Sequence, residues 1–257
     1  MVSSVGTVDK PNLLVKVLPS RAISSEDAKT ICSSVSSMFN LDLDLAAFYE
    51  YVKKDKVLAP FTRRLRGLRS PTTPIVFEAL VSSIIEQQIS LNVALVLENN
   101  LIRAFGDKLK IGKRDYYAFP APQRLGSSTT RQLHKCGLSM KKAEYICGVS
   151  QLIVDGILDL EKLKNCANDE SVIEELDSVR GIGVWTAELT MIRGMHRFGV
   201  LPADDLGLRR TIAHYYCKDR MISPPEARQI AKRWGPWKGL AALYLIVARM
   251  LQIEMNR

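Results

Sequence analysis

The sequence predicts a mainly α-helical protein, and three observations carry that expectation. After about residue 20, apolar residues return at three- and four-residue spacing in one segment after another. Ser and Asp residues stand just ahead of several of these segments, where helix caps belong. Strand-like sequence is confined to the run "LLVKVLPS" near the start, which Pro19 closes, so at most one vestigial N-terminal strand is expected.

In chain order, Ser24 and Asp27 form a capping pair ahead of a helix with Ala28, Ile31, Cys32, Val35, Met38 and Phe39 on one face. A short helix over residues 44–54 should bury Leu45, Phe48 and Val52. "RRLRGLRSPTTP" breaks the pattern with Gly67, Pro71 and Pro74 and reads as a basic connection. Phe77, Leu80, Val81, Ile84 and Ile85 mark an amphipathic helix, which "EQQIS" interrupts. Ser90 caps the next helix, over residues 91–105. "FPAPQRLG" is a proline turn, and "SMKKAEYICGVSQLIVDG" opens on a serine cap and forms a helix. Ser171 and Glu174 make a capping box before "VIEEL". The last helix includes "LAALYLIVARMLQIEM", and Trp234, Trp237 and Tyr244 near its start belong to core or pocket, with core the favoured reading.

A chain of 257 residues is long enough for one large domain or two small ones. Its 36 Lys and Arg against 27 Asp and Glu leave a net charge of +9, which suits a polyanionic partner, nucleic acid being the commonest. The five cysteines form no CxxC pair and no zinc pattern, and the three histidines lack metal-ligand spacing. Reduced thiols suit the inside of a cell. No apolar run has the length of a membrane span, and the first residues lack the layout of a signal peptide. The expected location is therefore intracellular, in prokaryotic cytoplasm or a eukaryotic nucleus.

"RGIG" at residues 180–183 separates two helix-like stretches. Glycine tolerates positive φ and close backbone approach. The free amides of a following helix start bind anions, phosphate above all. Arg180, Gly181, Gly183, Val184 and Thr186 are thus candidates to grip a DNA phosphate, with a plain tight turn between helices as the alternative.

Several motifs in order extend this. "LDSVRGIGVWTAEL" is followed about twenty residues on by "LPADDLGLRR". "FEALVSSIIEQQIS", "CGLSMKKAEYI" and "RWGPWKGLAALYL" surround them. From about residue 40 to residue 250 the chain resembles the helix–hairpin–helix DNA glycosylases, and among them the 3-methyladenine DNA glycosylase II family. The resemblance implies two helical subdomains flanking a DNA-binding cleft. One would join 21–75 to 198–257, the other span 76–197 with the hairpin motif at 171–195, and residues 1–20 would form an arm. Many relatives carry a sheet domain at the front, reduced here to that arm.

The resemblance also implies roles. The family's catalytic aspartate matches Asp205, and Asp204 reads as a helix cap. A carboxylate there would stabilise the cation-like sugar as an N-glycosidic bond breaks. The flipped base would stack on Trp185, with Leu189 and Ile246 where the best-known bacterial pattern has further aromatics. Gln88, with Gln87 beside it, would fill the gap in the duplex. Bifunctional members carry a lysine nucleophile where this chain has Trp185, and no lysine occurs from residue 165 to 217. A monofunctional enzyme without lyase activity is expected, excising bases of the 3-methyladenine and 7-methylguanine type. Backbone carbonyls of Asp177, Val179 and Ile182 would hold a structural Na+ or K+, and no other cofactor is implied. The expected partner is double-stranded DNA with damaged bases, met by a monomer away from any membrane, with Arg180, Arg209 and Lys238 touching phosphates. The rivals are a glycosylase for deaminated or mispaired bases and a non-catalytic DNA-binding module.

Overall fold

The computed structural model describes residues 1–7, 10, 12–18 and 23–253. It is mainly helical, and the chain packs as two compact units, Met1–Pro74 with His196–Arg257, and Ile75–Met195.

The first unit opens with strands β1 (Val2–Ser4) and β2 (Leu13–Val15), paired antiparallel with Val2 opposite Val15. The single strand expected is thus half of a hairpin. A lone strand would leave its backbone groups without partners, and the β-branched Val2 begins the segment that supplies them. Pro19, read as the end of the strand, lies outside the described residues. Helix α1 (Ser25–Met38) carries the expected capping box, with the Asp27 amide donating to Ser24 Oγ at 3.0 Å. Its apolar stripe is only half-buried at Ile31, Val35 and Met38, and Cys32 and Phe39 are exposed. Four serines interrupt that stripe, and polar bonds fasten its end instead. Thr72 Oγ1 donates to the Ser37 carbonyl at 2.8 Å. Helix α2 (Leu45–Val52) starts on Asp44, which accepts from the Ala47 amide, and buries Leu45, Phe48 and Val52 as expected. In α3 (Leu58–Arg64), Asp55 caps the start through the Val57 and Leu58 amides.

The second unit is built around α4 (Val76–Glu86), whose apolar residues are all buried, while its polar stripe is half-buried at Glu78 and Glu86 and paired with neighbours, Ser82 with Glu98 and Glu86 with Arg193. Helix α5 (Leu91–Phe105) follows, with Ser90 as its cap. Next comes a hairpin that the sequence reading missed, β3 (Lys108–Ile111) against β4 (Arg114–Tyr117). Its signal was present. Gly112, at φ +60°, and Lys113 form a two-residue loop; before it Lys108–Ile111 alternates charge with apolar residues, and after it come the strand-favouring Tyr116 and Tyr117. Helices α6 (Pro122–Gly126), α7 (Thr130–His134), α8 (Met140–Val154) and α9 (Leu160–Asn165) lead to α10 (Asp169–Asp177) and α11 (Val184–Met195). Ser171 does not cap α10. Asn168 does, accepting from the Ser171 amide at 3.0 Å, and Asp169 and Glu170 then fall in the first turn where the helix dipole favours them. Helix α11 lies close on α4. A Cβ on Gly194 would sit 2.9 Å from both Val76 Cα and Ala79 Cβ.

The chain then returns to the first unit with α12 (Leu206–Tyr216), α13 (Pro224–Ala231), a 3-10 stretch over Lys232–Trp237, and α14 (Lys238–Met250). Trp234 and Tyr244 are fully buried in this core with Phe48 and Phe61, and half-buried Trp237 packs on Phe48 at 5.8 Å. Gly235 adopts φ 52°, ψ −123°, a region that only glycine reaches easily, directly against the Tyr51 hydroxyl. Among the described residues, no helix is long and apolar enough to cross a membrane.

Candidate functional site

In the second unit, the hairpin between α10 and α11 is closed by its own backbone. The Val179 amide donates to the Leu176 carbonyl at 3.1 Å, and the Ile182 amide to the Val179 carbonyl at 3.0 Å. Gly181 sits at φ +94°, and a Cβ there would lie 2.2 Å from Cγ of Tyr145. Glycine is therefore required twice over, by the left-handed backbone and by the ring beneath it. Ile182 is buried and anchors the turn, while Gly183 is exposed. The first amide bonded back along α11 is that of Ala187, to the Gly183 carbonyl. The amides before it are those a helix start leaves free for an anion.

Arg180 is 82% exposed. Its guanidinium is 3.3 Å from Glu144 and 5.9 Å from the centre of the Tyr145 ring. An exposed pair of this kind contributes little, so the guanidinium is free to meet a phosphate. Thr186 differs from expectation. It is buried, and its hydroxyl accepts from Gln87 Nε2 at 3.0 Å, so only its main-chain amide can serve an anion. Trp185 and Leu189, four residues apart on one face of α11, are both half-buried.

The turn between α4 and α5 separates the two glutamines. Gln88 is exposed and held at φ +59°, a left-handed conformation costing a non-glycine residue about 1–2 kcal/mol. Gln87 points back to the hairpin, where its amide donates to the Gly181 carbonyl at 2.8 Å as well as to Thr186. Its side chain is already engaged, so of the two glutamines only Gln88 extends into solvent. Beside them, Arg193 binds Glu86 at 2.6 Å, and Lys142 Nζ donates to the Ile85 carbonyl at 2.7 Å. Burial pulls the Lys142 ammonium below its usual range. Sequence reasoning missed Lys142 and Tyr145 as supports. Both lie in the quoted "SMKKAEYI", but periodicity marks the helix and not what its polar side chains hold.

In the first unit, the backbone tightens just before α12. The Ala203 amide donates to the Leu201 carbonyl at 2.7 Å, and the Asp205 amide to the Pro202 carbonyl at 3.0 Å. Asp205 is the cap of α12, accepting from the Leu208 amide through Oδ1 at 2.7 Å. Asp204, expected to cap, does not. It lies one residue too early to reach the first-turn amides, and it faces Arg228 at 3.5 Å instead. Arg228 also donates to the Leu201 carbonyl at 2.9 Å, so it ties both ends of the loop before Asp205. Asp205 is half-buried, and its Oδ2 accepts no hydrogen bond among the described residues. Arg209, expected at a phosphate, donates to the Ile222 carbonyl at 3.1 Å. Lys238 is half-buried at the start of α14. Among the described residues, no group of three His, Cys, Asp or Glu side chains could hold a metal ion.

Residues 81–236 match the model of the HhH-GPD superfamily, described as base excision DNA repair protein. Over 242 residues the chain is 32% identical to a DNA-3-methyladenine glycosylase of Bacillus subtilis, covering 94% of this chain and 80% of the relative. A solved 3-methyladenine DNA-glycosylase from Archaeoglobus fulgidus superposes with a TM-score of 0.84 at 27% identity, covering 98% of this chain and 84% of that one. An 8-oxoguanine glycosylase/lyase of Clostridium acetobutylicum, solved with double-stranded DNA, shares the fold at a TM-score of 0.80 and 24% identity, covering 98% and 82% of the respective chains.

Proposed function

Because the chain belongs to the HhH-GPD superfamily of base excision DNA repair proteins, we propose that it is a monofunctional DNA glycosylase that removes alkylated bases and leaves an abasic site. The observation that carries the finer reading is Trp185 in the first turn of α11, half-buried behind the hairpin glycines. An indole face there attracts the positive charge of an alkylated purine by roughly 0.5–2 kcal/mol. The same position offers no amine for an imine.

Each group has a role. The amides at the start of α11 and the Arg180 guanidinium hold a phosphate of double-stranded DNA. Gln88 takes the place of the flipped nucleotide and offers hydrogen bonds to the orphan base. Trp185 and Leu189 receive the damaged base. The bond from C1′ to the base nitrogen breaks, its electron pair goes to the base, and the charge on the base is neutralised. Asp205 meets the positive charge that grows on the sugar. A water adds at C1′ and loses its proton to that carboxylate.

We also propose a Na+ or K+ at the carbonyls of Asp177, Val179 and Ile182, for which Val179 keeps a second lone pair beyond the bond to the Ile182 amide. Its test is DNA affinity in sodium, potassium and choline salts at equal ionic strength.

The function is tested with duplexes that each carry one defined lesion, treated with and without alkali. Release of 3-methyladenine and 7-methylguanine, with strand breaks only after alkali, is the expected result. Release confined to deaminated, mispaired or oxidised bases would replace the alkylation reading. No release from any duplex would leave a DNA-binding module.

A further inference from the structure

The turn that carries Gln88 is tied to the phosphate-gripping hairpin by side chains to which no role in the reaction has been given. Gln87, one residue before, donates both of its amide bonds across, to the Gly181 carbonyl at 2.8 Å and to Thr186 Oγ1 at 3.0 Å. Glu86, one residue earlier, is bound by Arg193 of α11 at 2.6 Å. The carbonyl of Ile85, at the end of α4, accepts from Lys142 at 2.7 Å. On the far side of Gln88, Ser90 fixes the chain again by capping α5. The turn is thus pinned before and after one exposed residue, and that residue is the one held left-handed. Strain of this kind persists only where the surroundings over-determine it.

We infer that Gln87 is a positioning residue that couples the hairpin to the wedge, so that phosphate grip and base displacement act as one rigid device. The inference rests on the glycosylase reading given above. The Gly181 carbonyl can only accept, and Gln87 Nε2 is the donor that reaches it. The opposite edge of the same glycine is closed by the Tyr145 ring. Movement of the hairpin onto a phosphate is therefore passed to the residue just before Gln88, and from there to Gln88 by a single backbone step. Without the link, the hairpin still binds phosphate and the wedge still exists. What is lost is their registration, and displacement of about 1 Å can lower a rate by as much as about a hundredfold.

The test compares wild type, Gln88→Ala, Gln87→Ala, Gln87→Glu and the Gln87→Ala/Gln88→Ala double variant in single-turnover excision from an alkylated duplex. Amide exchange at residues 86–90 and 181–187 of the free proteins is measured alongside. Gln87→Glu keeps the shape but sets an acceptor against the Gly181 carbonyl, so it should behave like Gln87→Ala. Each single variant should slow excision by about tenfold or more, and the double variant should be no slower than the worse single, as for residues acting through each other. Both Gln87 variants should bind undamaged duplex as wild type does and exchange faster at 86–90 and 181–187. Additive losses in the double variant, or unchanged exchange, would overturn the coupling. Should wild type release no base while the exchange result holds, the glycosylase reading fails and the mechanical link stands.

Discussion

Asp205 is seen to cap a helix and is proposed to serve catalysis, and substitution can separate the two. Its carboxylate caps α12 through the 2.7 Å bond to the Leu208 amide, and it is the proposed partner of the sugar cation. Asn is as good a cap as Asp, whereas Ala forfeits about 1 kcal/mol. For a protein of this size 1 kcal/mol corresponds to about 2–4 °C in melting temperature. Asp205→Asn should therefore melt within about 1 °C of wild type, and Asp205→Ala about 2–4 °C lower. Catalysis should respond differently. Removing one electrostatic partner of a transition state costs about 2.7–4 kcal/mol, or two to three decades in rate. Both variants should fall by that amount, because neither retains the charge. Asp204→Asn is the control. Its partner Arg228 lies 3.5 Å away with both side chains partly open to solvent, and Arg228 keeps its bond to the Leu201 carbonyl, so the loss is at most about 1 kcal/mol of stability and excision stays within a few-fold. The assay is single-turnover release of 3-methyladenine beside thermal melting. An Asp205→Asn enzyme excising within about threefold of wild type would refute the charge role, whatever its stability.

Other outcomes follow from the same geometry. Gly181→Ala should lose both DNA affinity and stability, since Cβ would meet Tyr145 Cγ at 2.2 Å. Adding Tyr145→Ala should restore only part, because the +94° backbone still costs about 1–2 kcal/mol. Binding to an abasic duplex should weaken steeply with salt, and Arg180→Ala should reduce the slope of log affinity against log salt by about 1. Borohydride should trap no enzyme–DNA adduct, and a trapped band would reveal an amine other than one at Trp185. Burial, helped by the nearby Glu98, pushes the Glu78 carboxyl up to about 7. A carboxyl raised in the folded state stabilises below its unfolded value and loses that contribution as pH rises through about 7. Glu78→Gln should therefore be more stable than wild type above pH 7, as read by urea melts across pH.

Much of the helical pattern was legible because it depends on short-range rules. Ser24, Ser90 and Ser139 cap the helices they precede, and α5 runs over the residues its spacing marked. Failures came where local signals compete. Ser171 and Glu174 fit a capping box, but Asn168 stands three residues earlier and takes the same amide that would otherwise begin it. The stripe of α1 was legible as a helix but not in its burial, because burial depends on what the rest of the fold brings against it. The hairpin at β3 and β4 fell below notice because its strands have four residues each, too short for periodicity to speak.

The candidate site shows the same limit in sharper form. The motifs single out "EQQIS" and "PADDL", and in each a pair of identical residues stands side by side. Composition cannot divide such a pair, but backbone geometry can. At the glutamines the chain leaves α4 after Glu86, so the next side chain turns inward to the hairpin and the one after it outward at φ +59°. At the aspartates α12 begins at Leu206, so Asp205 alone reaches the Leu208 amide while Asp204 is left to Arg228. In both pairs one residue is committed to holding the fold. At the glutamines this leaves the second residue, Gln88, for the proposed chemistry. At the aspartates the residue that caps is also the one assigned to the sugar, through its other oxygen. That double use explains why the isosteric Asn, rather than Ala, is the substitution that isolates catalysis.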